Sequence, residues 1–358
     1  MTRAVELAQV ASLGVSEAFK NRIINGAMVI DQRNAGASGT ANDYTVDRFA
    51  YYGSQASKGT WQQNAGSVTP PAGFVNYLGF TSSSAYSITS TDIFDFYQRI
   101  EGNNVSDLAW GTANAKTVTL SFWVYSSLTG TFGGALLNNA QTRSYPFTYT
   151  ISAANTWQQI SITIAGDTSG SWAQTTGYGI QIGWGLGIGS TYSGTAGAWA
   201  SATYYGATGA TSVVGTNGAT FYITGVQLEV GSSATGFEYV NYQTSLANCQ
   251  RYYYLHASGN SKVISLGSYY NTTSIDCAVP YKVSMRTTPT VVQTTGTDYY
   301  SINRNGGSDT FNSFDIADRV TTETIQITVT ANISGTAGQV GLVVTNNASA
   351  SLAFSAEL

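Results

Sequence analysis

The chain has 358 residues and little charge: 15 Lys and Arg against 19 Asp and Glu, a formal balance of −4, with 9% of residues charged against roughly 25% in an ordinary soluble domain. No basic stripe is present to release counterions from a phosphate backbone, and no apolar run reaches the roughly 18 residues of a membrane span. The length predicts two or three domains, and 39 Gly with 24 Tyr suit pleated surfaces and tight turns better than long solvated helices.

Residues 1–20 stand apart. They show no signal-peptide h-region. Ala4, Leu7, Ala8 and Ala11 fall at i, i+3, i+4 and i+7 in a stretch free of Gly and Pro, which predicts one short helix ending at Gly14. A helix this short is marginal alone in water. It is expected to attach to sister chains or to a socket on another protein; the alternative is a frayed tail.

From Asn21 to about Val230 the pattern is β. Val118, Leu120, Phe122 and Val124 alternate with Thr and Ser, and Ile160, Ile162 and Ile164 repeat the theme. Phe221 and Ile223 share one parity, and Val226, Leu228 and Val230 take the other. The slip predicts a β-bulge at Gly225. Between Gly177 and Gly189, Tyr178, Ile180, Ile182, Trp184, Leu186 and Ile188 share a face. The opposite face is glycine interrupted only by Gln181, so something must pack flat against it: an aromatic lid, a neighbouring subunit or a glycan. Ser190 to Gly218 reads as a long loop rich in Gly, Ala, Tyr and Trp, and long loops in compact domains tend to be functional. Residues 231–245 read as a linker. Residues 246–358 carry their own alternating runs, Ile325, Ile327 and Val329 among them, and predict a second sandwich. The fold class is therefore all-β, with two β-sandwich, jelly-roll-like domains (21–230 and 246–358) behind a short N-terminal helix.

Reactive groups are scarce. The only histidine, His256, sits in an aromatic strand and reads as structural. Cys249 and Cys277 form no CxxC pattern and read as buried free thiols rather than a disulfide. Asp92 and Asp95, and Glu101 and Asp107, are near one another in sequence, but a glycosidase needs carboxylates paired in space. No nucleophile with its base and no phosphate loop is present. The expectation is a protein that is not an enzyme and uses no cofactor.

Two stretches carry a resemblance. Lys20-Asn21-Arg22-Ile23-Ile24-Asn25-Gly26-Ala27-Met28-Val29-Ile30-Asp31-Gln32-Arg33, followed by Tyr44-Thr45-Val46-Asp47-Arg48-Phe49, resembles the opening of a domain common in phage tail-fibre and other virion structural proteins. Gly225-Val226-Gln227-Leu228-Glu229-Val230-Gly231, then Phe237-Glu238-Tyr239 and Cys249-Gln250-Arg251-Tyr252-Tyr253, resembles its close. The bracketed domain is also similar in outline to jelly-roll carbohydrate-binding modules. Those often hold calcium through acids near both ends; here Gln227 stands where an acid is common, so no metal is expected. The resemblance implies a trimeric tail fibre or receptor-binding protein in the virion, assembled in the host cytoplasm. It would be joined to other virion proteins through the N-terminal segment and attach to host surface polysaccharide. A capsid-associated head fibre or decoration protein is the alternative. A secreted carbohydrate-binding module is a third reading, which the missing signal peptide disfavours. Aromatic rings that can lie against sugar C–H faces make Trp172, Tyr192, Trp199, Tyr204 and Tyr205 the candidate carbohydrate contacts. The competing role for each is a core or interface anchor. Asn138, Asn139 and Gln141 form a separate polar turn, and Tyr299 with Tyr300 is a lesser pair.

Overall fold

Side-chain alternation decides the architecture. The structure, a computed structural model, describes residues 19–358; the helix expected around Ala4, Leu7, Ala8 and Ala11 lies outside the described residues. The first sandwich uses β1 (Asp43–Tyr44), β2 (Phe49–Gly53), β3 (Gly59–Gln63), β4 (Leu78–Ser82), β5 (Ile93–Glu101), β6 (Val118–Ser126), β7 (Gly130–Asn138), β8 (Ser144–Ile151), β9 (Gln158–Ile164), β10 (Tyr178–Ile188), β11 (Ser193–Gly194), β12 (Gly206–Ala207) and β13 (Thr220–Val230). A six-stranded sheet, in order β1-β2-β5-β10-β7-β8, packs on a five-stranded sheet, β3-β4-β13-β6-β9. The short pair β11-β12 lies within the 190–218 insertion.

The core forms where the inward parities meet. Val118, Leu120, Phe122 and Val124 on β6 are fully buried, as are Ile180, Ile182, Trp184 and Leu186 on β10. Phe122 meets Trp184 edge-on at 5.7 Å between ring centroids, a geometry that adds to area burial. On β9, Ile160 and Ile162 are only half-buried because it is an edge strand. The bulge falls where the parity slips: the β13–β6 register breaks between Thr224 and Gln227. Gly225 has φ +60°, and a Cβ there would lie 2.6 Å from the Phe74 ring.

A helix, α1 (Tyr242–Gln250), begins inside the segment read as linker. Asn241 caps it by accepting from the Thr244 N–H at 2.9 Å. Its apolar periodicity is weak and only Ser245, Cys249 and Gln250 are buried, which is why alternation did not reveal it. The second sandwich follows, from Tyr253 to Ser355, with a three-stranded and a seven-stranded sheet around a separate core. Ile275, Ile327, Val329, Leu352 and Phe354 lie in that core. The outer face of the seven-stranded sheet leaves Leu266, Val340 and Leu342 exposed. Both cysteines are free and buried. No helix among the described residues is long and apolar enough to cross a membrane.

The two sandwiches meet through buried charge. Arg48, 1% exposed, pairs through Nη1 with Glu357, donates through Nη2 to the Arg99 carbonyl at 2.7 Å, and lies 3.6 Å over the Tyr252 ring. Arg33 covers Tyr253 at 3.6 Å and reaches Glu357 at 3.3 Å. Arg251 and the Tyr252 hydroxyl both donate to Glu101, each at 2.8 Å. Gln32 donates to the Tyr253 carbonyl and accepts from the Leu255 N–H. The two stretches that bracket the first sandwich in sequence are therefore in contact in space.

Glu357→Gln leaves the Arg48 charge buried without a counterion. The expected loss is about 3–5 kcal/mol of stability, read by urea unfolding, with faster proteolysis across residues 231–236. The double change Arg48→Met with Glu357→Gln should recover much of it. A neutral single variant would show that the pair does not hold the junction.

Candidate functional site

Strand β5 is two-faced. Phe94, Phe96 and Ile100 point into the core, and Asp95, Tyr97 and Arg99 stand on the outer face of the six-stranded sheet. The neighbour β10 offers Gly183 opposite Tyr97. A Cβ on Gly183 would lie 3.1 Å from Asp95 Oδ2, so the missing side chain is the seat of that carboxylate. Around it lies a cavity of about 180 Å³. Its walls are Tyr52 from β2, Ile93, Asp95, Tyr97 and Arg99 from β5, Gln181 from β10, Gln141 from the β7–β8 turn and Tyr205 from the insertion.

The rest of the glycine face is filled by the chain itself. Val105 and the Ala173 carbonyl press on Gly179. Ile188 folds back over Gly185, and Val214 covers Gly187. Beyond them the Thr89 and Ser90 carbonyls press on Gly189. The open face of the sheet is thereby reduced to a pit.

Asp95 is 2% exposed, and its carboxylate has no hydrogen-bond partner among the described residues. Burial pushes it up to about 7, with a smaller opposing pull from Arg99. Arg99 is engaged elsewhere. Its Nε donates to Gln181 Oε1 at 3.0 Å, its Nη1 donates to the Leu358 carbonyl at 2.9 Å, and it stacks 4.7 Å from the Tyr178 ring. Burial, then the Asp95 charge, pushes Tyr205 up to about 12. The pit thus holds one carboxyl without a hydrogen-bond partner, the Arg99 guanidinium, carboxamides from Gln141 and Gln181, and three tyrosine rings.

Of the five aromatic candidates, Tyr205 lines this pit, and Tyr192 backs it edge-on at 5.7 Å. Tyr204 packs over Gly194. Trp172 and Trp199 join Trp110 in a cluster of edge-on rings 4.8–5.4 Å apart. Their indole N–H groups donate to the Ser169 and Ala165 carbonyls, and both rings are half-buried. In the polar turn, Asn138 is fully buried and accepts from Thr142 and Arg143 N–H groups, while Gln141 reaches the pit. Tyr300 is core and donates to the Thr294 and Ser351 carbonyls. His256 lies 2.8 Å from the Ile264 carbonyl and 3.0 Å from the Tyr254 hydroxyl, and burial pushes its imidazole down.

The acids near one another in sequence are separately employed. Burial raises Asp92, but hydrogen bonds from Ser54, Thr89 and Tyr86 outweigh it and hold the carboxyl well below the usual range. Glu101 belongs to the domain junction. No three His, Cys, Asp or Glu side chains cluster as a metal site among the described residues. A second cavity of about 300 Å³ runs along residues 19–29 and 237–248; its one acid, Glu238, already accepts from the Asn21 N–H at 2.6 Å.

Tyr52 and Tyr97 were not singled out in the sequence, and Asp95 and Gln181 were named there only as a neighbour of Asp92 and as the break in the glycine face. Two signals point to them in hindsight: the outer parity of β5, and Gln181 as the lone interruption of the glycine face.

No family model matches the chain, and no curated protein does. Among solved structures it is similar to a putative sugar binding protein from Bacteroides thetaiotaomicron, at 12% identity over 59% of this chain and 100% of that one, with a TM-score of 0.34. A family 11 carbohydrate-binding module from Clostridium thermocellum matches at 12% identity over 56% and 99%, TM-score 0.28. The enzymatically active domain of bacteriophage CBA120 tailspike protein 4 matches at 12% identity and TM-score 0.30, over 59% of this chain and only 21% of that one.

A carboxyl raised to about 7 when folded and near 3.9 when unfolded binds more protons in the native state between those values. Its contribution is therefore complete below pH 4 and lost as pH rises through 7. Asp95→Asn should match the parent near pH 4 and exceed it at pH 8, by up to about 4 kcal/mol. Asp47, raised to about 6, gives both proteins a slope of the same sign. Urea unfolding at the two pH values checks this; a variant no more stable than the parent at pH 8 would contradict it.

Proposed function

We propose that this chain is a non-catalytic glycan-binding protein whose sugar site is the Asp95 pit. The observation that carries the reading is a buried carboxylate without a partner, set among Tyr52, Tyr97 and Tyr205 in a cavity sized for a small ligand. Sugar rings present C–H faces to aromatic side chains and hydroxyls to carboxylates and carboxamides, and the pit offers both kinds of surface. Asp95 is the one acid in its wall. Glycoside hydrolysis commonly needs a second carboxyl some 5–10 Å away, so the reading is binding without bond cleavage.

The proposal extends to a virion setting on the strength of the bracketing motifs. In this reading the chain is a tail fibre or receptor-binding protein, trimeric, attached to other virion proteins through residues 1–20. Several pits per particle would then turn weak single contacts into durable attachment to host surface polysaccharide by raising effective concentration.

The test is adsorption of the full chain to a panel of immobilised bacterial surface polysaccharides. Tyr52→Ala with Tyr205→Ala should lower retention at least tenfold on whichever polysaccharide the parent binds, with little change in melting temperature. Trp199→Ala should instead cost about 2 kcal/mol of stability through the broken indole cluster. Undiminished retention by the double tyrosine variant would remove the pit from the account.

A further inference from the structure

Granted that the pit holds a sugar, on which this inference rests, we infer that the sugar residue seated there carries a free, positively charged amine. Asp95 is buried and unpartnered, and its Oδ2 lies against the bare backbone of Gly183. A neutral sugar could donate a hydroxyl proton to it but would supply no charge to favour its ionised form over its protonated one. An ammonium supplies charge and hydrogen bond together. The rings of Tyr52, Tyr97 and Tyr205 stand around the same space, and aromatic faces attract cations.

The cation already present does not fill this role. Arg99 lies on the same face four residues along β5, about 13 Å away at the backbone, beyond Tyr97. Its guanidinium is held by Gln181, the Leu358 carbonyl and the Tyr178 ring. Its charge reaches Asp95 only as a pull smaller than the effect of burial. The other titratable groups lining the cavity with Asp95 are tyrosines: Tyr52 from β2, Tyr97 from β5, and Tyr205, backed by Tyr192, from the insertion. An anionic sugar would meet the carboxylate head-on and is disfavoured.

The experiment is ligand-observed NMR titration of the full chain with D-glucosamine, N-acetyl-D-glucosamine and D-glucose, and with the three galacto counterparts. At pH 7 one of the two amino sugars should bind about tenfold tighter than its neutral and N-acetylated partners. That preference should shrink below about twofold at pH 5, where the carboxyl is protonated, and likewise in Asp95→Asn at pH 7. Equal affinity across a set, weakened together by Tyr52→Ala with Tyr205→Ala, would overturn the amine inference and leave the glycan reading standing. If neither amino sugar binds, the inference falls. If polysaccharide retention also survives the tyrosine changes, the glycan reading of the pit falls with it.

Discussion

The ion pair between Arg48 and Glu357 is the constraint from which the rest of the molecule takes its geometry. A guanidinium 1% exposed can exist only with a counterion and acceptors at hand. Glu357, the Arg99 carbonyl and the Tyr252 ring supply them. Those partners come from both sandwiches, so the pair fixes one on the other. It also brings the Leu358 carbonyl onto Arg99, which holds that guanidinium at the edge of the pit and off Asp95. With so few charges in the chain, several sit where they join elements: Arg251 on Glu101, Arg143 on Asp167, Arg304 on Asp309.

The site follows from two further choices of side chain. Strand β5 puts apolar residues inward and Asp95, Tyr97 and Arg99 outward, while β10 leaves its outer face almost bare. Bulk there would displace the Val105 and Ala173 contacts, the insertion and the Asp95 carboxylate in turn. Glycine is thus used for close approach along a whole strand, at some cost in intrinsic stability, and the gap that remains is the pit.

Much of the fold was legible in the sequence because sandwich strands alternate strictly. The parities of Val118 to Val124 and of Tyr178 to Ile188 fixed their inward faces, and the slip at Gly225 marked its bulge. The α1 helix was not legible, since only Ser245, Cys249 and Gln250 on it are buried and no apolar stripe announces it. Of the residues lining the pit, Tyr205 lies in the insertion and Gln141 in the polar turn that the sequence singled out. Trp172 and Trp199 looked equally suitable, because a ring that stacks on a sugar and a ring that stacks on another indole are the same residue until neighbours are known. Asp95 was weighed in the sequence only as a neighbour of Asp92, because its lack of a hydrogen-bond partner is a fact that only tertiary structure can reveal. The bracketing motifs also gained a physical sense. Asn21 bonds Val226 and Leu228 on β13, and Asn25 bonds Ile30 and Asp47, so the opening stretch is pinned to the closing strand by buried amides.

The most direct test is a crystal structure of the protein soaked with the polysaccharide fragment it retains. The account places a sugar ring against Tyr205, with a donor group within hydrogen-bond distance of Asp95. A sugar seated elsewhere, such as over Leu266 and Leu342 on the second sandwich, with only water beside Asp95, would contradict it.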